Sequence, residues 1–515
     1  MEVINFLDHG TYLAPDRACL EFNGQEWTYR DVTRMTIRIA AAFARRGFRI
    51  GAHVAVLSFN DPFAYMCALG TMRAHMVWIP INPRHSASDI VETLVALDCD
   101  LLFYNSELAA VATAVADSIP NLRLICIDSD DADHPSLDRW LKDAPETFEI
   151  DPASPDDVTW IQTTGGTSGR PKAVMQTHRA AETFVATDLW KTRTTGVVKQ
   201  LMAQQMTHAG GFRTFSVLCR AGTIHILPRI KPDIIMDAIE HYRITDVAIP
   251  VTILYRMLSD PSIRAHDYSS LRHLNYGTAP ISPVKLREAV TLFGRVMSQS
   301  YGQTELLPSG TYLSPDDHYF GDEIADDKRL SSCGKETPFG LIAVMDTNGK
   351  LLPANQTGEI VARGNGVMKG YYKDPELTAE YSKYGWHHTG DVGYRDDDGF
   401  YYIVDRLKDV IVTGGFNVYP AQIEHLINGH PAVHNSAVIG VPDDDWGERV
   451  TAVVELKPGM TATQDELIAI CRQSLGSLKA PKSIIFRDEL PLNPAGKVLK
   501  RQIRDEFWID RQRKV

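Results

Sequence analysis

A chain of 515 residues exceeds one ordinary hydrophobic core, so two or more domains are expected, one of them large. Its 44% apolar and 23% charged content is that of a globular chain, and no apolar run reaches the roughly 18 to 20 residues that would span a bilayer. A formal charge of −12 disfavours a general affinity for nucleic acid while leaving room for a local basic pocket that holds one nucleotide.

The start, MEVINFLDHG, has neither a basic n-region nor an apolar h-region, and the end, DRQRKV, matches no retention or peroxisomal signal. A cytoplasmic location is therefore expected. Cys19, Cys67, Cys99, Cys126, Cys219, Cys333 and Cys471 are scattered singly, without a CxxC pair, which argues against a disulfide framework and against a zinc site.

In chain order, the stretch PETFEIDPASPDD near 145 to 157 reads as a surface loop within a large domain. From 158 to 301 strand-like and helix-like patterns alternate, the signature of α/β layering. VTWIQTT (158 to 164) is a predicted strand, AVMQTH (173 to 178) a second, and RAAETFVATDLWK (179 to 191) a helix. The turn between the strands, TTGGTSGRPK (163 to 172), holds glycines that let backbone approach a ligand, hydroxyl donors and one lysine. That composition suits a phosphate cradle, although the lysine follows Pro171 rather than a glycine, so it is not a Walker A loop; a plain flexible turn has the same letters.

Further on, Ser282 caps and Pro283 opens a helix with Leu286, Ala289, Val290 and Phe293 on one stripe, which Gly294 stops. RVMSQSY (295 to 301) returns as a strand and runs into YGQTE (301 to 305), where Gly302 turns the chain and Glu305 is placed to meet a magnesium ion. WHHTGD (386 to 391) ends in a turn carrying Asp391, suited to two ribose hydroxyls or equally to an Asx turn. DRLKD (405 to 409) offers Arg406 and marks a domain boundary. Beyond it come a short strand DVIVT, a helix with Ile423, Leu426 and Ile427 inward, strands around VHNSAVIGV and RVTAVVEL, and a helix opened by the capping box Thr463-x-x-Glu466. In LNPAGKVLKR (492 to 501), Lys497 follows a Pro-Ala-Gly turn that can carry it into another domain's site.

Together, in this order, these motifs resemble the adenylate-forming superfamily of acyl-CoA synthetases, luciferases and peptide-synthetase adenylation domains, from the loop at 163 through Lys497. The resemblance implies an α/β fold: a large N-terminal domain of layered α/β subdomains (1–404), a hinge (405–409) and a small mobile α+β C-terminal domain (410–515). It implies ATP, Mg2+ and coenzyme A as cofactors and a small-molecule carboxylic acid as partner, with no nucleic acid, no membrane span, and a homodimer among the assemblies allowed. Thr164, Gly166, Thr167, Ser168, Gly169 and Lys172 would cradle the ATP β- and γ-phosphates. Against the family's T-S-G-T-T-G-x-P-K-G, Gly165 replaces a serine, Ser168 a threonine and Ala173 a glycine, removing one hydroxyl donor.

Gly277, Thr278, Ala279 and Pro280 resemble the strand end beside the adenine, on which Tyr301 would stack. Thr304 and Glu305 would contact the α-phosphate and the magnesium, and Asp391 and Arg406 the ribose. Lys497 resembles the catalytic lysine bridging acyl carboxylate and α-phosphate, Lys408 the hinge residue, and Gly414 and Gly415 the lining of a pantetheine tunnel. His208 would sit beside the carboxylate end of an acyl pocket lined by Phe212, Tyr276, Leu307 and Pro308.

The implied activity is a two-step carboxylate–CoA ligase. Transfer to a carrier protein, or of an amino acid, is the alternative, with a catalytically lapsed nucleotide-binding protein and a luciferase-type oxidation more remote. The absence of a carrier-like segment after Lys497 favours free CoA. An aryl or medium-length apolar acid is expected, because the candidate lining offers no lysine or arginine for a second carboxylate, although Arg213 follows Phe212 closely.

Overall fold

The computed structural model describes residues 1–130, 134–164, 172–192, 195–307, 310–492 and 498–509. The chain divides into two compact units, one of residues 1–342 and 362–387, the other of 343–361 and 388–515. Residues 343–361 and 388–404, expected in the large domain, thus pack with the C-terminal unit.

Among the described residues the first unit holds two large sheets. In the seven-stranded sheet, Val77–Ile81, His53–Leu57, Leu101–Tyr104 and Arg123–Cys126 are parallel to Val158–Thr164 and to one another. Val158–Thr164 then forms an antiparallel hairpin with Lys172–Thr177, and Gly370–Tyr371 covers the outer edge. The inner strands are apolar on both faces, as a parallel sheet buried on both sides requires. Along His53–Leu57, Val54 and Val56 enter one core while Ala55 and Leu57 enter another, the period of two expected of a strand.

The nine-stranded sheet has a parallel centre of Ala18–Phe22, Thr223–Ile226, Lys199–Met202, Asp246–Pro250, His273–Gly277 and Met297–Tyr301. Its faces are divided the same way: Met202, Ile224 and Ile226 join the core that also receives Val54 and Val56, whereas Leu201, Val247 and Ile249 face a separate core. Helices Tyr29–Arg45 and Pro62–Arg73 fill the shared core, the first opened by a Thr28/Asp31 capping box. The helix expected at 179–191 spans His178–Lys191. In helix Pro283–Phe293, Ser282 stands at the N-cap without a side-chain capping bond, and Gly294 ends the helix at φ +76°.

The second unit carries most of a four-stranded sheet (Leu341–Met345, Gly358–Arg363, His387–Arg395, Tyr401–Arg406) and a five-stranded sheet built on the long hairpin Val433–Asp443 and Gly447–Leu456. Helices Pro420–Asn428 and Gln464–Lys479 pack on the latter, and the expected Thr463/Glu466 capping box is formed. Among the described residues, no helix is long and apolar enough to cross a membrane.

Candidate functional site

Because the strands at the centre of the nine-stranded sheet are parallel, their carboxyl ends open along one edge, the usual place for a ligand in such sheets. Gly277 to Pro280, Tyr301 to Glu305 and the turn carrying His208 all follow such ends. Two residues there hold left-handed backbone without being glycine, Thr278 at φ +68° and Leu307 at +46°. Such strain collects at sites where function over-determines the conformation. Gly277 is tightly set: a Cβ would lie 3.3 Å from the Ser300 carbonyl oxygen of the neighbouring strand. Thr278, Ala279 and Pro280 are exposed, and Tyr301 and Gly302 are half-buried.

The turn after Met297–Tyr301 is tied to the other sheet. Gln176, wholly buried, donates through Nε2 to the Thr304 carbonyl at 2.5 Å. The Met368 amide donates to the Glu305 carbonyl at 2.7 Å, and the Tyr371 hydroxyl donates to Glu305 Oε1 at 2.9 Å. Lys172 begins its strand opposite Thr164, so this pair forms the mouth of the glycine-rich turn; its Nζ lies 3.9 Å from the Tyr381 ring centroid and 5.2 Å from that of Tyr371. Lys172, Tyr371 and Glu305 thus form one contiguous group. Gly166, Thr167, Ser168 and Gly169 lie outside the described residues, as do Pro308 and Lys497.

Among the described residues, no three His, Cys, Asp or Glu side chains gather as a metal cage. A single buried carboxylate with one oxygen fixed by Tyr371 nevertheless suits magnesium, which is commonly held by one or two carboxylates together with substrate phosphates and water.

His208 lies on the π-helical turn Met206–Gly210, whose entry is clamped by buried Asn60: its Oδ1 accepts from the Met206 amide at 2.7 Å and its Nδ2 donates to the Gln204 carbonyl at 3.0 Å. Solvent reaches the imidazole, yet the protein around it removes enough water to hold its pKa below the ordinary value, the combination expected on the wall of a cleft. Phe212, half-buried, stands between Trp160, with ring centroids 6.3 Å apart, and Phe184, at 5.4 Å. Leu307 is buried in the shared core.

Tyr276, expected in the acyl pocket, lies elsewhere. Its neighbour Asn275 faces Ser298 and Ser300, so Tyr276 projects from the opposite face into the second core, where its hydroxyl meets His318 Nε2 at 2.9 Å. Tyr276 is 0% exposed and is withdrawn from the pocket lining.

In the second unit, Asp391 and Arg406 are register partners across two antiparallel strands, and Arg406 Nε lies 2.8 Å from Asp391 Oδ1. Gly414 has φ +56° and its amide donates to the Trp446 carbonyl; a Cβ there would meet the indole ring at 2.4 Å. Gly415 has φ +81° beside open space, and Lys408 is exposed in the turn Leu407–Asp409. Helix Lys500–Asp505, just after residues 493–497, is anchored to this turn and its neighbourhood: Lys500 Nζ pairs with Glu424 Oε2 at 2.7 Å, and Arg504 Nη1 donates to the Lys408 carbonyl at 3.3 Å.

Gln176, Tyr371, Tyr381 and Asn60 were missed from sequence. The run KGYYKD, with Gly370 just before Tyr371, is a turn signal available for Tyr371, whereas Gln176 and Asn60 carry none.

The family description "AMP-binding enzyme" matches residues 7–372, and "AMP-binding enzyme C-terminal domain" matches 422–497. A medium/long-chain-fatty-acid–CoA ligase of Mycobacterium tuberculosis is 35% identical over 485 residues, covering 91% of this chain and 83% of that protein. A feruloyl-CoA synthase of Amycolatopsis sp is 33% identical over 502 residues, covering 96% and 97%. Among solved structures, ATP-bound MatB from Rhodopseudomonas palustris superposes with a TM-score of 0.87 at 29% identity, covering 98% of this chain and 99% of that one. An amide bond synthetase from Marinactinospora thermotolerans gives 0.87 at 26%, covering 98% and 100%. With the strand-end geometry, the Lys172–Tyr371–Glu305 group and a match spanning most of its length, the chain belongs to the AMP-binding, adenylate-forming enzyme family.

Proposed function

We propose that this enzyme is an ATP-dependent carboxylate–CoA ligase that works in two steps. A carboxylate oxygen attacks the α-phosphorus of ATP and the bond to the β-phosphate breaks, giving acyl-AMP and pyrophosphate. The thiolate of CoA then attacks the acyl carbon and AMP leaves. The observation that carries the reading is the link between the Thr304–Glu305 turn and the strand opened by Lys172, through Gln176 and Tyr371, which puts a lysine and a buried acid in one group.

Attack of one anion on another is opposed electrostatically, so the site must supply positive charge and fixed donors where charge develops. Lys172, Thr164 and the turn between them are assigned to the β- and γ-phosphates, and Thr304 to the α-phosphate. Glu305 is assigned to magnesium, which when bound neutralises charge on the departing pyrophosphate. Gly277 to Pro280 and Tyr301 are assigned to the adenine, and Asp391 and Arg406 to the ribose. His208, whose pKa burial lowers, is assigned one hydrogen bond to the acyl carboxylate, given without adding a competing charge. Lys497 is assigned to the transition state of the first step, Lys408 to the hinge, and Gly414 and Gly415 to close approach of the pantetheine arm. A cytoplasmic location, where ATP and CoA are both available, completes the reading.

Acid-dependent exchange of labelled pyrophosphate into ATP tests the first step alone. Exchange that requires both acid and magnesium supports the reading, and none with any acid across graded chain length and aromaticity removes it. Exchange with an acid but no thioester on adding CoA would favour a carrier-protein acceptor.

A further inference from the structure

Helix His178–Lys191 presents Phe184, Asp188 and Lys191 along one face, at the spacing that stacks side chains turn over turn. Phe184 meets Phe212, so the wall starts aromatic, but it ends in charge. Lys191 Nζ lies 3.3 Å from Ser300 Oγ, one residue before Tyr301, and 5.2 Å from the Tyr312 ring centroid. Asn275 Nδ2, at 3.2 Å, shares that serine hydroxyl. Arg213 follows Phe212 on the short helix Gly211–Arg213, and its Nε is buried with no hydrogen-bond partner among the described residues.

Both cations are thoroughly desolvated: burial drives the Lys191 ammonium down to about 7, with Arg213 adding repulsion and Asp188 opposing it, and burial likewise lowers Arg213. Asp188 is the acid acting on both, and its Oδ2 already accepts from Ser216 Oγ at 2.5 Å. Yet Lys191, Arg213, Asp188 and Ser300 all keep some contact with solvent, so they are not sealed in the core. The unused Nε donor of the buried Arg213 guanidinium, beside the Lys191 ammonium, suits an anion.

We propose that Lys191 and Arg213 form an anion subsite beside the acyl site assigned above, so that the preferred substrate is an acid with an apolar body and a second carboxylate. The proposal rests on the carboxylate–CoA ligase reading and replaces the expectation of a wholly apolar acid. The buried Arg213 donor rejects a substrate that leaves it unpaired, because the unmade hydrogen bond is lost in full.

The test compares kcat/KM for matched pairs, a straight-chain or aryl monocarboxylic acid and the same skeleton with a terminal carboxylate, together with hydroxyl- and keto-terminated versions. The wild type should favour the dicarboxylic acid by at least about tenfold, and in Arg213→Met and Lys191→Met the ratio should collapse by roughly 10- to 100-fold. A ratio taken within one preparation does not depend on the fraction folded, and Lys191→Arg, which keeps the charge, should retain most of the preference. A wild-type preference for the monocarboxylic, hydroxyl or keto acid, or a ratio the variants leave unmoved, overturns the proposal. Calorimetric titration of the same acids separates it from the ligase reading: dicarboxylic acid binding without turnover sinks that reading alone, and turnover of monocarboxylic acids without the preference sinks the subsite alone.

Discussion

Replacing Tyr371 by Phe deletes one oxygen and, with it, the 2.9 Å hydrogen bond to Glu305 Oε1. The setting makes that bond matter, since Glu305 is 7% exposed and Tyr371 3%, so water does not readily replace the lost donor. A hydrogen bond to a charged group is worth about 1.5 to 3 kcal/mol, a factor of roughly 10 to 100 if all of it is expressed at the site. The main chain should stay in place, because the Met368 amide still holds the Glu305 carbonyl at 2.7 Å. The loss therefore falls on the orientation of the carboxylate. If Glu305 acts on the magnesium of the nucleotide, Tyr371→Phe should raise the magnesium concentration needed for half-maximal pyrophosphate exchange and lower kcat/KM for MgATP by about tenfold or more, with the acid KM moved much less. The control is a double-mutant cycle: on a Glu305→Ala background, Tyr371→Phe should add almost nothing, since its partner is gone. Wild-type magnesium dependence in Tyr371→Phe, or full additivity with Glu305→Ala, would refute the reasoning.

Lys497→Ala is expected to abolish acid-dependent pyrophosphate release while thioester formation from supplied acyl-adenylate largely survives; equal loss of both half-reactions contradicts the assignment. His318 is buried neutral, Nδ1–H donating to the Ser314 carbonyl and Nε2 accepting from the Tyr276 hydroxyl, and burial takes its pKa from 6.5 down to about 4. A folded-state pKa lowered in this way gives stability that is present above pH 6.5 and lost as pH falls through 4, about 3 kcal/mol in all. His318→Gln keeps both hydrogen bonds and should flatten that part of the acid denaturation profile, read on the first unit's own transition, because a chain of two units need not unfold in one step. Lys500→Met leaves the Glu424 carboxylate buried without its 2.7 Å partner and should destabilise the second unit by about 3 to 5 kcal/mol, whereas Lys500→Met with Glu424→Leu should recover most of that loss in a urea titration.

What could be read from the sequence was local chemistry. The strands flanking the glycine-rich turn, the helix after it, the Thr463/Glu466 box and the strand ends at Gly277 and Tyr301 carry their signals within a few residues. The first 157 residues said little because parallel strands buried on both faces read as featureless apolar runs. Partners brought together by topology stayed hidden: Tyr371 and Glu305 are 66 positions apart, and Lys191 and Ser300 are 109 apart. Tyr276 shows how a single strand misleads, since its position beside Gly277 placed it near the site but not on which face of the sheet it falls. The same blindness hid the cation used by the proposed subsite, because Lys191 meets Ser300 only once helix and strand have packed.

The most direct test of the account is the product balance of the purified full chain supplied with ATP, magnesium, CoA and a panel of mono- and dicarboxylic acids. The account predicts AMP, pyrophosphate and acyl-CoA in equal amounts, with none formed when the acid is omitted. ADP and phosphate in their place, or AMP formed without an acyl-CoA from any acid, would contradict it.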